Sequence, residues 1–227
     1  MGVIYLSHKL SRHTPGYGGE NQFEIKVGSS IASGQSSNSQ TWNLPNHLGT
    51  HIDAPNHFFD NGRTIDYYSA DYWYCIRVCL LNIETNKNEI ITTEKLMGWV
   101  PNDCDCLLIR TGFEKYRGLY SYWEENPGID PEVGFYLRRN FKNIKLLGMD
   151  IISVSSWADR EKGRQAHRAF LDPGFSENQI LLVEDMHLSE IPSDSVINEV
   201  IFAPLIISGA DASPCTIIAK LKAGKND

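Results

Sequence analysis

The stretch HLGTHIDAPNHF, residues 47–58, constrains the chain more than any other part of the sequence. Its ionisable side chains, His47, His51, Asp53 and His57, all occupy odd positions. Every second residue of an extended backbone points the same way, so a strand would turn them all to one face. A helix would not. His47 and His51 would share a helical face, but Asp53 would stand about 200° around from His51. Pro55 also interrupts a helix interior. The stretch is therefore expected to run extended and to present imidazole nitrogens and a carboxylate together. Gly49 leaves room between His47 and His51, and Asn46 and Thr50 are placed to orient the imidazoles by hydrogen bonds. This donor set suits Zn²⁺, Mn²⁺ or Fe²⁺. The competing reading is a polar loop enriched in histidine by chance, since short motifs match by accident.

Short Ile-, Leu- and Val-rich runs read as strands: VIYLS (3–7), IRVCLLNI (76–83), DCLLIR (105–110), IKLLGMD (144–150), QILLVED (179–185), and EVIFAPLII and TIIAKL near the C-terminus. The spacing predicts a helix from Thr92 or Thr93 through Met97, and another over DPEVGFYLRRNF with Asp130 as N-cap and Pro131 at the first position. A third is expected over ADREKGRQAHRAFL, 158–171, although Gly163 lies inside it. SSIASGQSSNSQ, 29–40, reads as a polar loop or wide turn. Strands interspersed with a few helices make the fold class α/β.

The 227 residues suit a single domain, 1–227. A net charge of −7 and a pI near 5.5 argue against a nucleic-acid partner. No run approaches the roughly 18 apolar residues of a membrane span, and the first residues lack a secretory pattern. The odd cysteine count, with no C-x-x-C, fits free thiols in a cytoplasmic protein.

The residues of HLGTHIDAPNHF match H-x-G-T-H-x-D-x-P-x-H-F throughout, and on that motif the chain resembles the metal-dependent cyclase-like hydrolase family, of bacterial kynurenine formamidase and isatin hydrolase type. The likeness continues in IYLSHKLSRHTPGYGGE, LLIRTGF (107–113), LLGMDIISV (146–154), HRAFL, ILLVEDMHL and APLIISGADASP (203–214). It implies a swivelling β/β/α-type domain. It implies one or two divalent ions, Zn or Mn, with His47, His51 and Asp53 at the first, and His167 and Glu184 completing a second to which Asp53 bridges. It assigns proton transfer to His57 and a substrate-lining position to Tyr17. The family's members are often dimers, which implies a homodimer. His187 competes with His167, because the gap from His167 to Glu184 is lengthened by DPGFSEN. Tyr17 stands where formamidases more often carry Trp or Phe, and Ala212 replaces the Gly of D-G-S-P.

The activity implied is hydrolysis of an amide, formamide or lactam bond of a small substrate, aromatic ones included, by metal-activated water. The alternative is a catalytically idle metal- or small-molecule-binding protein on the same scaffold. No G-x-S-x-G elbow supports a serine hydrolase. Glu184 ends an apolar run, where a carboxylate needs a cationic partner. Arg110 also follows an apolar run, placed either to bind a substrate carboxylate or to pair with an internal acid. His8, His13 and His187 read as structural or solvated, and the tryptophans as packing residues with one or two near the pocket.

Overall fold

The computed structural model describes residues 2–19, 23–175 and 178–222. The first half of the chain contributes β1 (Gly2–Tyr5), β2 (Glu24–Ser29), β3 (Ser39–Asn43), β4 (His51–Asp53), β5 (Tyr74–Cys75), β6 (Val78–Asn82), β7 (Ile90–Ile91) and β8 (Cys106–Arg110). The second half adds α1 (Ser121–Glu124), β9 (Gly128–Ile129), α2 (Pro131–Asn140), β10 (Leu146–Met149), α3 (Arg160–Leu171), β11 (Leu181–Glu184), β12 (Val196–Pro204) and β13 (Ala212–Lys222).

One large sheet runs in the order β5-β12-β13-β4-β11-β10-β8-β6, with β1 also paired to β13. From β6 to β11 the neighbours are parallel; from β11 through β4, β13 and β12 they are antiparallel. The sheet curls until β12 packs against β6, nearly closing on itself. Alternation along each strand sends side chains to two cores. Leu107, Ile109, Leu147 and Leu182 meet the helices, packing with Val133, Leu137 and Phe170. Cys106, Leu108, Leu146 and Val183 turn inward with Ile52, Ile217 and Ala219. Burial on both faces explains why these strands read as unbroken apolar runs.

Asp130 caps α2 by accepting the Glu132 N–H at 3.0 Å, with Pro131 following it. On α3 the buried residues Gly163, Ala166, His167 and Phe170 follow helical spacing, so His167 belongs to the stripe that faces the sheet. The helix expected from Thr92 is instead a single 3-10 turn, Thr93–Lys95. Gly98, at φ +81°, turns the backbone away soon after. The polar segment 29–40 joins β2 to β3 in a hairpin. Those two strands carry few buried residues, so no apolar alternation announced them. No helix among the described residues is long and apolar enough to cross a membrane.

Candidate metal centre

The HLGTHIDAPNHF stretch converges its ionisable side chains, but not by running extended. Only His51–Asp53 forms a strand, with His51 and Asp53 to one side and Ile52 fully buried on the other. Gly49, at φ +70°, turns the chain before β4, and Pro55–His57 makes a 3-10 turn after it. His47 and His57 therefore reach inward from turns. Gly49 also serves a different purpose from the expected one. A Cβ there would meet Leu10 Cδ2 at 2.5 Å, so the glycine admits the N-terminal segment rather than making room between imidazoles.

Asp53 sits at the centre. Its Oδ1 is 3.0 Å from His47 Nδ1 and 3.3 Å from His51 Nε2, and its Oδ2 is 3.6 Å from His167 Nε2. Glu184 reaches the same rings from β11: Oε2 is 3.6 Å from His51 Nε2 and Oε1 is 3.5 Å from His167 Nε2. The register explains this, since Glu184 lies directly opposite His51 across the β4–β11 ladder. Both Asp53 oxygens are buried without a properly aligned hydrogen bond. His167 thus joins the cluster despite the long gap to Glu184. The extra DPGFSEN follows the end of α3 at Leu171, and its residues 176–177 lie outside the described residues.

Ring orientation sharpens the point. His51 Nδ1–H donates to the Gly49 carbonyl at 2.8 Å, and His167 Nδ1–H to the Gly163 carbonyl at 2.9 Å. A neutral ring held in this way would turn an Nε2 lone pair toward carboxylate oxygens, acceptor against acceptor. A cation between them resolves the conflict, and mixed imidazole and carboxylate donors suit Zn²⁺ or Mn²⁺. Two ligand groups share Asp53: His47, His51 and Asp53, and Asp53, His57 and His167.

The electrostatics agree. Burial alone would lower His167, but Asp53 and Glu184 outweigh it and raise the ring to about 10. Burial likewise opposes, and Asp211 and Asp53 overcome it, in raising His47 to about 10. Burial pushes the Asp53 carboxyl up, yet the His51 charge and the approach of His167 and His47 hold it well below the usual carboxylate range. Without a metal, the site draws in protons as substitute cations.

Asp211 is the residue that sequence reasoning missed. Its Oδ2 accepts from His47 Nε2 at 3.0 Å and His57 Nδ1 at 3.1 Å, while Asn46 Nδ2 donates to its Oδ1 at 2.6 Å. The signal was present in GADASP, within a segment already matched to the family. Asn46 therefore orients this carboxylate rather than an imidazole. Thr50 turns away, donating to the Asp185 carbonyl at 2.5 Å.

A cavity of about 290 Å³ opens onto these groups, lined also by Tyr17, Phe58, Arg160 and Arg164. Tyr17 meets Trp157 edge-on at 5.2 Å between centroids. His57 lines the cavity, and burial lowers its pKa. His187 does not reach this site; it lies beside Glu114. Arg110 donates to Asn82 Oδ1 and the Ile191 carbonyl, each at 2.7 Å, and pairs with no acid among the described residues. Trp42 and Trp99 are exposed rather than packed in the core.

The family model described as "Putative cyclase" matches residues 4–156, more than half the chain and including the His47–His57 stretch. The chain is 30% identical over 212 residues to a kynurenine formamidase of Geobacillus thermodenitrificans, covering 93% of each chain. It is 27% identical over 218 residues to a kynurenine formamidase of Bacillus thuringiensis, covering 96% of each. Isatin hydrolase A from Labrenzia aggregata shares the fold with a TM-score of 0.81 at 22% identity, over 98% of this chain and 94% of that one. On the match over residues 4–156 and the near full-length likeness to these relatives, the chain belongs to the cyclase family.

Proposed function

We propose that this single-domain protein is a metal-dependent hydrolase that cleaves the amide, formamide or lactam bond of a small, aromatic substrate. One observation carries the reading: the His51 and His167 Nε2 atoms, their Nδ1 protons committed to backbone carbonyls, converge on the carboxylates of Asp53 and Glu184, and both Asp53 oxygens are buried without an aligned hydrogen bond among the described residues. Relatives named kynurenine formamidase and a fold neighbour named isatin hydrolase support the bond type.

His47, His51, Asp53, His167 and Glu184 would hold one or two ions of Zn or Mn. Such a cation, when bound, supplies water of lowered pKa and Lewis acidity toward a carbonyl. His57 moves the proton. With Nδ1 held by Asp211, its Nε2 is left to exchange a proton in the cavity. Tyr17 and Phe58 offer aromatic surface to the substrate, with Trp157 packed edge-on against Tyr17. Ser153 Oγ and the Val154 N–H hold Glu184 Oε1 at 3.1 and 2.8 Å, fixing that carboxylate's orientation. The family resemblance further supports a cytoplasmic homodimer, checked by light scattering of the purified protein.

The test is a panel of N-formyl anilines and cyclic amides, assayed before and after chelation and after return of Zn²⁺ or Mn²⁺. Hydrolysis that vanishes with the chelator and returns with the metal is expected. Hydrolysis that persists in metal-free protein sinks the proposal, and inactivity on the whole panel with metal bound favours an idle binding protein.

A further inference from the structure

A second group of chemistry-bearing side chains lies apart from the cavity that holds His51 and Asp53. His8, Glu114 and His187 come from three distant parts of the chain, yet their ligand atoms lie within 4.8 Å of one another. His187 Nε2 is 3.2 Å, and His8 Nε2 3.5 Å, from the same oxygen, Glu114 Oε1. The two rings stack with centroids 4.4 Å apart and planes inclined by 27°. His8 and His187 line a separate cavity of about 1140 Å³, together with Arg117 and Glu190, and share no lining residue with the first.

The bonding within the cluster is incomplete. His8 Nε2 is buried and has no hydrogen-bond partner among the described residues. Glu114 is held on one side only: Ser189 Oγ donates to Oε1 and the Ser189 N–H to Oε2, each at 2.9 Å. Oε1 keeps its remaining side for the imidazoles. Glu114, Glu190 and Asp185 outnumber Arg117 and Lys9 around the cluster, and Arg117 is already committed to Asp185 at 2.7–2.8 Å.

We propose that His8, Glu114 and His187 hold a second kind of divalent-cation site, of the Zn²⁺ or Mn²⁺ class, built for structure rather than catalysis. Two imidazole nitrogens and a carboxylate are a recurrent donor set for such ions. With ligand bonds of about 2.1 Å, the edge of a tetrahedron is about 3.4 Å, and the observed 3.2 and 3.5 Å fall on either side of it. The exposed Glu190, whose Oε1 is 3.5 Å from His187 Nε2, is a fourth ligand within reach. The His8 N–H donates to Thr50 Oγ1 at 2.9 Å, and Thr50 holds the Asp185 carbonyl. Thr50 and Asp185 adjoin His51 and Glu184 in the chain. An ion here ties the N-terminal segment and the turns after β8 and β11 to the strands that carry the first centre.

The experiment is elemental analysis of Zn²⁺-loaded protein after removal of free metal, comparing wild type with His187→Asn, His8→Gln and His51→Ala. His187→Asn and His8→Gln are each expected to hold one ion fewer per chain than wild type, while His51→Ala keeps the ion that those variants lose. Metal content equal to wild type in both His187→Asn and His8→Gln overturns the proposal. A readout on wild-type protein avoids any question of variant folding: Zn²⁺ is expected to slow diethyl pyrocarbonate modification of His187, mapped by mass spectrometry. Modification of His187 at the same rate with and without Zn²⁺ overturns it as well. Neither outcome depends on whether the first centre hydrolyses anything.

Discussion

Asp211 Oδ2 lies 3.1 Å from His57 Nδ1, although 154 residues separate the two in the chain. The carboxylate fixes the ring's tautomer and leaves Nε2 free toward the cavity. Partners of this kind are typically worth about 10- to 100-fold in activity or metal affinity. Asp211→Asn is expected to lower kcat by about that factor while most of the metal remains. Elemental analysis beside steady-state hydrolysis checks this. Loss of the metal held beside Asp53 would show Asp211 to be chiefly a ligand, through its contact with His47.

His51 and His57 should separate binding from turnover. His51 is buried between Asp53 and Glu184, so His51→Ala is expected to remove the metal of this centre and activity together. His57 is half-buried and tied to Asp211, so His57→Ala should keep most of the metal but lose turnover by about 100-fold or more. Equal metal loss in the two variants refutes the division of roles.

Loading the centre should release protons. In metal-free protein His47 and His167, raised to about 10, are charged at pH 7. Metal ligation requires neutral rings, so release on the order of two protons per chain is expected at pH 7. Calorimetry in buffers of different ionisation enthalpy measures it. The raised values also fix the direction of the stability slope. Their contribution to the metal-free fold is full below pH ~6.5 and is lost as pH rises toward about 10. Thermal melts should show that decline without metal and a flatter profile with it.

Gly163→Ala pits helix propensity against packing. In an open helix the change stabilises by roughly 1 kcal/mol. Here the new Cβ would meet Ser155 Oγ at 2.2 Å, Cβ at 2.4 Å and Cα at 2.7 Å, so backbone must move. A net loss of about 1–3 kcal/mol is expected, read as a lowered melting temperature. Reduced metal content should accompany it, because the Gly163 carbonyl holds His167 Nδ1. A stabilised variant with full metal content contradicts the packing argument.

Strand positions were legible because parallel strands buried on both faces leave unbroken apolar runs, as in β8, β10 and β11. The capped start of α2 was legible because Asp130 and Pro131 act on their immediate neighbours. The exposed hairpin of β2 and β3 left no such trace. Nor did the short turn at Thr93–Lys95, whose residues resemble those of a longer helix.

The sequence alone determined the donor types and their crowding into residues 47–57, because side-chain chemistry and local spacing are written residue by residue. The tertiary structure decided how they meet. Turns at Gly49 and Pro55, not strand parity, aim His47 and His57, and the β4–β11 register sets Glu184 against His51. It also placed His167 rather than His187 beside Asp53 and Glu184, brought in Asp211, and gathered His8, Glu114 and His187 elsewhere. Each of these depends on contacts between residues far apart in the chain, which chain order does not encode until the sheet has formed.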